Sequence, residues 1–438
     1  MAAHISGNNM FQRFLHSQVT GAFILIGATA IALIWANSQW GQFYYDLSHT
    51  YMGVRFGEWE FKLTLSHWIK DGLMAIFFFV VGLEIKREIV VGELSSVDKA
   101  MLPVCAAIGG AVVPAGIYAV INMGSGTIAG WGIPMATDIA FALGVLSMFG
   151  SRVPLGLKVF LTALAIADDL IAVAAIAVFY TPDLDVSTLL MSVIPLIFMI
   201  IFSRLGVRAT WVYTTLAFIV WLGVLGSGVH ATIAGVLVAM VIPVRPVIDP
   251  QELIDSTAKI LQDIDGADNS RDALIHDEVR RARISQLSLT VEDAIPPAIA
   301  LENRLHPFQS FVILPLFALF SAGVAFSPEN LAGFPNEVEL GVILGLVVGK
   351  PLGVLIASLL VIKVVKIELR GITLGQLIGA GCLDGIGFTM SIFISELAYT
   401  NETFIDQAKV GILIASIAAG IIGAIVLHFT LPKHADSG

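Results

Sequence analysis

The sequence predicts an all-α polytopic membrane protein, with one transmembrane domain of about 12 helices over residues 1–438. Of the 438 residues, 57% are hydrophobic and 13% are charged, whereas about 25% of the residues in a soluble domain are charged. The acidic residues that give the net charge of −10 are scattered and no basic tract is present, which argues against a nucleic-acid partner. Cys105 and Cys382 lie in apolar runs and indicate no disulfide or metal framework.

Twelve apolar stretches are candidates to cross a hydrocarbon core about 30 Å thick. We place them near 18–37, 66–90, 100–122, 127–149, 153–180, 187–204, 209–226, 228–243, 308–326, 338–363, 373–397 and 408–430. An even number of spans puts both termini on one side, and the loops on that side hold most of the Lys and Arg residues. The positive-inside rule therefore predicts cytoplasmic termini.

The first loop on the outer side, about residues 46–65, predicts a β-hairpin. Its apolar residues alternate with polar ones on both sides of Gly57. Because a two-stranded hairpin is marginal alone, it either pairs by its edge with a second copy of the chain or lies on its own helix bundle.

The cytoplasmic connector, about residues 244–307, is rich in charged residues. Apolar residues within 253–264 have helical spacing, and 265–270 predicts a flexible break. After Pro297, a short helix places Glu302 and His306 four residues apart, and therefore on one face. Most of this segment is also consistent with a plain solvated connector.

Two spans contain helix breakers. Gly132 and Pro134 interrupt 127–149 just before Thr137 and Asp138, and the span 373–397 holds four glycines within nine residues. Broken backbone at membrane depth is tolerated only inside the protein or beside a water-filled cavity. Interrupted spans in two halves of a transporter point to its binding site, although the glycines are equally consistent with close helix packing.

Buried carboxylates are the strongest functional signal. Asp138, Asp168 and Asp169 lie in apolar spans, where an ionised carboxylate costs at least about 2.5–3.5 kcal/mol. Adjacent helical residues point about 100° apart, so Asp168 and Asp169 face different partners. Lys350, the one basic residue that we place inside a span rather than at its end, pairs economically with one of these aspartates.

The remaining oxygens have a second use. The unpaired aspartate, Asp138 and the Thr137 hydroxyl are free to bind a hard cation through oxygen. Since burial makes a carboxylate bind a proton more readily, protons and cations compete for the same oxygens. A purely structural salt bridge would account for Lys350 and one aspartate, and would leave the other two carboxylates unexplained.

The cytoplasmic end of the span 66–90 carries a second charged cluster. Glu84, Arg87 and Glu88 lie at i, i+3 and i+4, on one helix face. They form either a common helix-end salt-bridge set or, with Glu302 and His306, a cytoplasmic ion funnel or pH-responsive patch.

Two further polar residues have an ambiguous role. His230 is a hydrogen-bonded packing residue or a ligand, and Asp71, near the outer end of its span, is an ion exit site or merely interfacial. A channel and a sodium-coupled symporter would also show broken helices and buried carboxylates. An intramembrane aspartyl protease needs two aspartates on separate helices, usually with a GxGD motif, and the sequence contains no GxGD.

Seven stretches, in the same order along the chain, resemble the bacterial Na⁺/H⁺ antiporter A (NhaA) family. They read WIKDGLMAIFFFVVGLEIKRE, GWGIPMATDIAFALGVLSMFGSRVP, LKVFLTALAIADDL, GSGVHATIAGV, LHPFQSFVILPLFALFSAGV, GKPLG and GIGFTMSIFI. The resemblance implies twelve transmembrane helices with an inverted repeat and two broken helices that cross near mid-membrane. It also implies electrogenic exchange of cytoplasmic Na⁺ or Li⁺ for external protons, activated at alkaline pH, in the bacterial inner membrane and without a cofactor.

The resemblance also implies roles for individual residues. Asp169 matches the ion- and proton-binding aspartate, and Asp168 its neighbour, which pairs with the lysine matching Lys350. Thr137 and Asp138 match the pair at the first helix break. The residues that match the cytoplasmic pH-response region are Glu84, Arg87, Glu88, Glu302 and His306. Asp71 matches an aspartate toward the periplasm, and the hairpin matches the contact of a homodimer.

Two features depart from the family pattern. The connector 244–307 is longer than expected, and Asp384 adds a carboxylate to the second broken span where an uncharged residue is expected. This extra carboxylate alters ion affinity, or it faces a partner or water at the helix break.

Overall fold

The computed structural model describes residues 18–57, 59–181, 185–207, 210–246, 248–265, 277–326, 334–366 and 371–432. The helices up to the connector are α1 (Gln18–Ala36), α2 (Gly41–Ser48), α3 (Met74–Val90), α4 (Val97–Ile121), α5 (Ile139–Ser147), α6 (Leu155–Phe179), α7 (Val186–Arg204), α8 (Thr210–Gly226) and α9 (Thr232–Val241). The later helices are α10 (Pro250–Asp265), α11 (Glu278–Ala294), α12 (Pro297–Phe308), α13 (Leu314–Ser321), α14 (Glu337–Leu344), α15 (Lys350–Val365), α16 (Leu374–Asp384), α17 (Phe388–Ala398) and α18 (Glu402–Thr430). Short helical turns of other pitch are Leu65–His67, Trp68–Leu73, Ile128–Met135, Gly150–Arg152, Gln309–Ile313 and Gly345–Gly349.

Helical segments occupy every one of the predicted spans, which confirms an all-α membrane protein. Among the described residues, seven helical segments are long and apolar enough to cross a membrane, or eight if α16 and α17, bent by 46°, form one span. Large apolar side chains such as Ile194 and Phe198 on α7 are exposed, as expected where lipid contacts the protein. The count of twelve spans and the inverted repeat stay predictions.

The predicted hairpin is confirmed. Strands β1 (Tyr51–Phe56) and β2 (Trp59–Thr64) pair antiparallel, with Phe56 opposite Trp59. The turn uses Gly57 at φ +64°, a left-handed conformation that glycine adopts without strain. The Trp68 indole N–H donates to the carbonyl of Met52 at 2.9 Å, so the hairpin contacts its own bundle; its pairing with a second copy stays a prediction.

The connector is helical where its apolar spacing predicts a helix. Helices α10 and α11 pack against each other, and α12 begins at Pro297 and carries Glu302 and His306, as predicted. Of the predicted break at 265–270, only Asp265 lies within the described residues, where it ends α10.

Small residues and aromatic rings hold the bundle together. Where α4 crosses α15, a Cβ on Gly109 would meet the Gly353 carbonyl and a Cβ on Gly353 would meet the Gly109 carbonyl, so the two backbones touch. The Phe393 ring of α17 lies 5.7 Å from Phe78 of α3 and 6.3 Å from Phe317 of α13, measured between ring centroids. The second broken helix is therefore packed into the core.

Candidate ion-binding site

Both predicted helix breaks are present, and they contact each other. The turn Ile128–Met135 is followed by non-helical backbone at 136–138, and three residues, 385–387, separate the end of α16 from the start of α17. The Asp138 N–H donates to the Ile386 carbonyl at 2.6 Å, and the Ser391 hydroxyl donates to the Ile133 carbonyl at 2.8 Å. Backbone groups that each break releases thus find partners inside the protein.

The glycines of the second broken span serve both roles that the sequence left open. Gly385 and Gly387 lie in the interruption itself. Gly379 serves packing, because a Cβ on it would come within 2.6 Å of the Leu427 side chain. A Cβ on Gly381 would likewise lie 3.2 Å from the Pro351 Cα of α15, so this glycine also serves packing.

Asp138 joins the two helices that leave the breaks. One carboxylate oxygen accepts the Phe141 N–H of α5 at 3.2 Å, and the other accepts the Thr389 N–H of α17 at 3.1 Å and the Thr389 hydroxyl. A carboxylate at a helix N-terminus satisfies free N–H groups and interacts favourably with the helix dipole. Asp138, 2% exposed, therefore caps two helices at once.

Asp168 is held by Lys350 and Thr137. The Lys350 ammonium lies 2.6 Å from Asp168 Oδ2 and also donates to the Met135 carbonyl. The Thr137 hydroxyl lies 2.7 Å from the same oxygen, while Asp168 Oδ1 has no hydrogen-bond partner within the part of the chain that the structure describes. Since both side chains of the ion pair are fully buried, their attraction is little screened by water.

Asp169 has a different environment from its neighbour. It is 3% exposed, and among the described residues its carboxylate has neither a hydrogen-bond donor nor an ion-pair partner. The carboxylates of Asp168, Asp138 and Glu84 act on it repulsively, and Lys350 acts on it attractively. The two adjacent aspartates therefore differ: one is paired, and the other is surrounded mainly by like charge.

Asp384 completes the cluster. It is fully buried, and its Oδ2 lies 3.7 Å from the Lys350 ammonium. Neither of its carboxylate oxygens has a hydrogen-bond partner among the residues described. Its backbone carbonyl lies 2.7 Å from the Thr137 hydroxyl. The extra carboxylate thus faces the ion pair directly.

The cytoplasmic cluster is assembled from α3 and α12. Arg87 lies 3.2 Å from a carboxylate oxygen of Glu88 and 3.3 Å from one of Glu302. Burial raises the pKa of Glu302, and the Glu88 charge adds to the rise, whereas Arg87 opposes it. Glu84 is close enough to interact with these charges and with Asp169. The half-buried His306 follows one turn after Glu302 on α12.

The structure also shows the contacts of His230 and Asp71. The His230 ring bonds to the Tyr180 carbonyl at 2.6 Å, which agrees with a hydrogen-bonded packing histidine. Asp71 lies in the turn Trp68–Leu73, and its backbone carbonyl accepts the Trp221 indole N–H at 2.9 Å.

Sequence reasoning missed two parts of this polar interior. Thr389 donates twice to Asp138, and its position just after the glycine break was the available signal. Glu396, near the C-terminal end of α17, lies 3.0 Å from Lys70 and 3.1 Å from Lys409. Its partners lie far apart in sequence, so no local pattern marks the group.

The buried carboxylates beside the two helix breaks and Lys350 form one charged cluster. Over the residues that the structure describes, no three His, Cys, Asp or Glu side chains are grouped to hold a metal ion. The Lys350 ammonium pairs with Asp168 and faces Asp384, and Asp169 interacts with Lys350 and with Asp138. These four carboxylates and one ammonium carry excess negative charge when all of them are ionised.

Comparison with known proteins places this architecture. A family described as Na⁺/H⁺ antiporter 1 matches residues 12–427. Among similar proteins, the Na⁺/H⁺ antiporter NhaA of Oleidesulfovibrio alaskensis is 44% identical over 96% of this chain and 94% of its own length. The NhaA of Sulfurimonas denitrificans is 45% identical over 96% and 95%, and that of Acidithiobacillus ferrooxidans is 42% identical over 97% and 98%.

Proposed function

The chain belongs to the Na⁺/H⁺ antiporter 1 family, and from that premise we propose that it exchanges cytoplasmic Na⁺ or Li⁺ for external protons across a bacterial inner membrane. It is a membrane transporter and not an enzyme. Exchange is electrogenic, with more protons than cations per cycle, and increases at alkaline pH, so that it serves Na⁺ and pH homeostasis. Na⁺, Li⁺ and H⁺ are its substrates, and it uses no cofactor.

The environment of Asp169 carries the proposal. A buried carboxylate that lacks a donor and lies beside other carboxylates is stabilised when it binds a cation or a proton. The two ligands neutralise the same oxygens, so binding of one displaces the other. Competition of this kind is the minimum that an antiporter requires.

The neighbouring residues shape this site. Asp168, Thr137 and Asp138 supply further oxygens, and Lys350 offsets one of the negative charges. Because Asp138 caps α5 and α17, a change in its charge alters how the N-termini of both helices are held. Ion binding is thereby coupled to the two broken helices, which are the elements expected to move.

The cytoplasmic cluster of Glu84, Arg87, Glu88, Glu302 and His306 forms the entry and pH-response region. The raised pKa of Glu302 keeps this carboxyl neutral to a higher pH than an exposed glutamate. When it loses its proton, its charge attracts Arg87 more strongly and ties α12 to the end of α3. The pair of Glu302 and Arg87 therefore predicts that exchange activity increases as the pH rises.

The remaining features complete the proposal. Asp71 lies on the periplasmic path of the ions, and both termini are cytoplasmic. The free edges of the β-hairpin join two copies into a homodimer, since an exposed strand edge presents unpaired N–H and C=O groups.

Inverted membrane vesicles that hold an imposed proton gradient test the exchange. Added Na⁺ or Li⁺ should dissipate the gradient, more strongly at alkaline than at mildly acidic pH, and Asp169→Asn should abolish the response. Asp185→Asn is the matched control, because Asp185 is an exposed N-cap of α7 and asparagine caps equally well.

Two results would contradict the proposal. An Asp169→Asn variant with a normal response would exclude Asp169 as the exchange site. A wild-type protein that shows no cation response at any pH would exclude antiport itself.

A further inference from the structure

Asp384 is the buried carboxylate beside the two helix breaks to which the proposed exchange assigns no step. It is fully buried, and neither carboxylate oxygen accepts a hydrogen bond from any residue that the structure describes. A buried charge without hydrogen bonds is costly unless a counter-charge is near. The positive charge that faces it is the Lys350 ammonium at 3.7 Å.

The Lys350 ammonium lies near two carboxylates, Asp168 and Asp384, whose Coulomb attractions for it are comparable. Its ammonium is 2.6 Å from Asp168 and 3.7 Å from Asp384, and because Coulomb attraction falls inversely with distance, the second attraction is about 70% of the first. A shift of about 1 Å brings Asp384 into hydrogen-bond range. A Cβ on Gly110 would lie 3.0 Å from Val354 Cγ2, 3.5 Å from Asp384 Oδ2 and 3.8 Å from Lys350 Cδ, so the backbone of α4 packs directly against this pair.

The Thr137 hydroxyl, which also holds Asp168, likewise lies near an oxygen of Asp384. The Thr137 hydroxyl is 2.7 Å from Asp168 Oδ2 and 2.7 Å from the Asp384 carbonyl, but it carries one proton and donates to one of them at a time. The Asp384 carbonyl is free to accept because α16 ends at this residue, where carbonyls lack an intrahelical partner. Both donors to Asp168 therefore have an alternative acceptor on one residue.

We propose that Asp384 is an exchange partner, which takes over Lys350 and Thr137 when Asp168 turns toward the transported Na⁺. This role rests on the proposed antiport. Asp168 can then contribute an oxygen to the cation while the buried ammonium keeps a carboxylate beside it. Asp384 acts through Lys350, so it is a positioning residue for ion binding.

Kinetics of Na⁺-driven proton release separate this role from a general packing role. Asp384→Asn keeps the shape but removes the charge, so releasing Asp168 becomes harder. The KM for Na⁺ should rise about tenfold, equivalent to about 1.4 kcal/mol, with little change in maximal rate. Cys382→Ala, a buried change on the same helix, should leave both parameters as they are.

Thermal stability in detergent gives a second readout that does not depend on transport. Asp168→Asn and Asp384→Asn each leave Lys350 one carboxylate, whereas the double variant leaves its charge unpaired. The fall in Tm of the double variant should exceed the sum of the two single falls. If the double variant does not fold, the Lys350→Met background replaces it: there Asp384→Asn should raise Tm, since it removes a lone buried charge.

The outcomes separate the two proposals. An unchanged KM in Asp384→Asn, or additive falls in Tm, would overturn the role of Asp384 and leave antiport intact. A wild-type protein without any cation response would overturn the antiport, and the stability measurements would still report whether Asp384 pairs with Lys350.

Discussion

Replacing Lys350 by methionine measures what the buried ion pair contributes to stability. The ammonium and the Asp168 carboxylate are 2.6 Å apart and fully buried, which gives a Coulomb attraction of about 6 kcal/mol at an effective dielectric constant of 20. Methionine fills similar space but leaves Asp168 with Thr137 as its remaining side-chain donor. Asp384 loses the counter-charge that faces it. Because breaking a buried pair by removing one partner costs about 3–5 kcal/mol, we expect a loss of that size.

Lys409→Met is the matched control. Lys409 also pairs with a nearly buried carboxylate, Glu396, at 3.1 Å, but that carboxylate keeps Lys70 at 3.0 Å. The free energy of unfolding in mixed micelles should therefore fall clearly less for Lys409→Met than for Lys350→Met. A Lys350→Met variant as stable as the control would refute the reasoning, since it would mean that Asp168 does not depend on this ammonium.

Three further outcomes are expected. Because burial raises the pKa of Glu302, its charge appears only toward higher pH. The variant Glu302→Gln never gains that charge, so its exchange activity should rise less steeply with pH than that of the wild type. An equally steep profile would argue against a role of Glu302 in activation. Gly353→Val should lower the free energy of unfolding by about 1–3 kcal/mol through overpacking against Gly109. Thermal unfolding measures this beside the control Gly27→Val, where an added Cβ would meet no other element of the described structure within 4 Å. In the strand register, the Gly53 N–H points outward from β1, away from β2. Gly53→Pro should therefore weaken a dimer that forms through this edge, whereas Gly53→Ala should keep it. A cross-linked dimer that survives both Gly53→Pro and Lys62→Pro on β2 would rule out edge pairing.

Local patterns in the sequence were sufficient for the secondary structure. Apolar length predicted the spans, and alternation around Gly57 predicted the hairpin that β1 and β2 form. Gly132 and Pro134 predicted the first break at the position where non-helical backbone occurs. These features depend on neighbouring residues, because backbone preference and the spacing of apolar side chains are local properties.

The sequence also narrowed the candidate site to a few residues. The cost of burying charge marked Asp168, Asp169 and Lys350 as functional and predicted that the lysine pairs with an aspartate. From spacing alone, the choice between the two aspartates stayed open, and only the resemblance favoured Asp168. The structure shows the Lys350–Asp168 pair at 2.6 Å; the transport roles of these residues stay predictions.

The remaining contacts were decided by tertiary structure. Asp138 caps a helix that begins 250 residues later, near Thr389, and Glu396 holds two lysines from separate helices. Asp384 could be recognised in the sequence as an extra carboxylate, but its approach to Lys350 could not. Such contacts depend on where two broken helices meet, and that is fixed by packing between distant segments, which leaves no periodic signal in the local sequence. The sequence by itself therefore determined which residues are costly to bury, and the fold determined which of them neutralise one another.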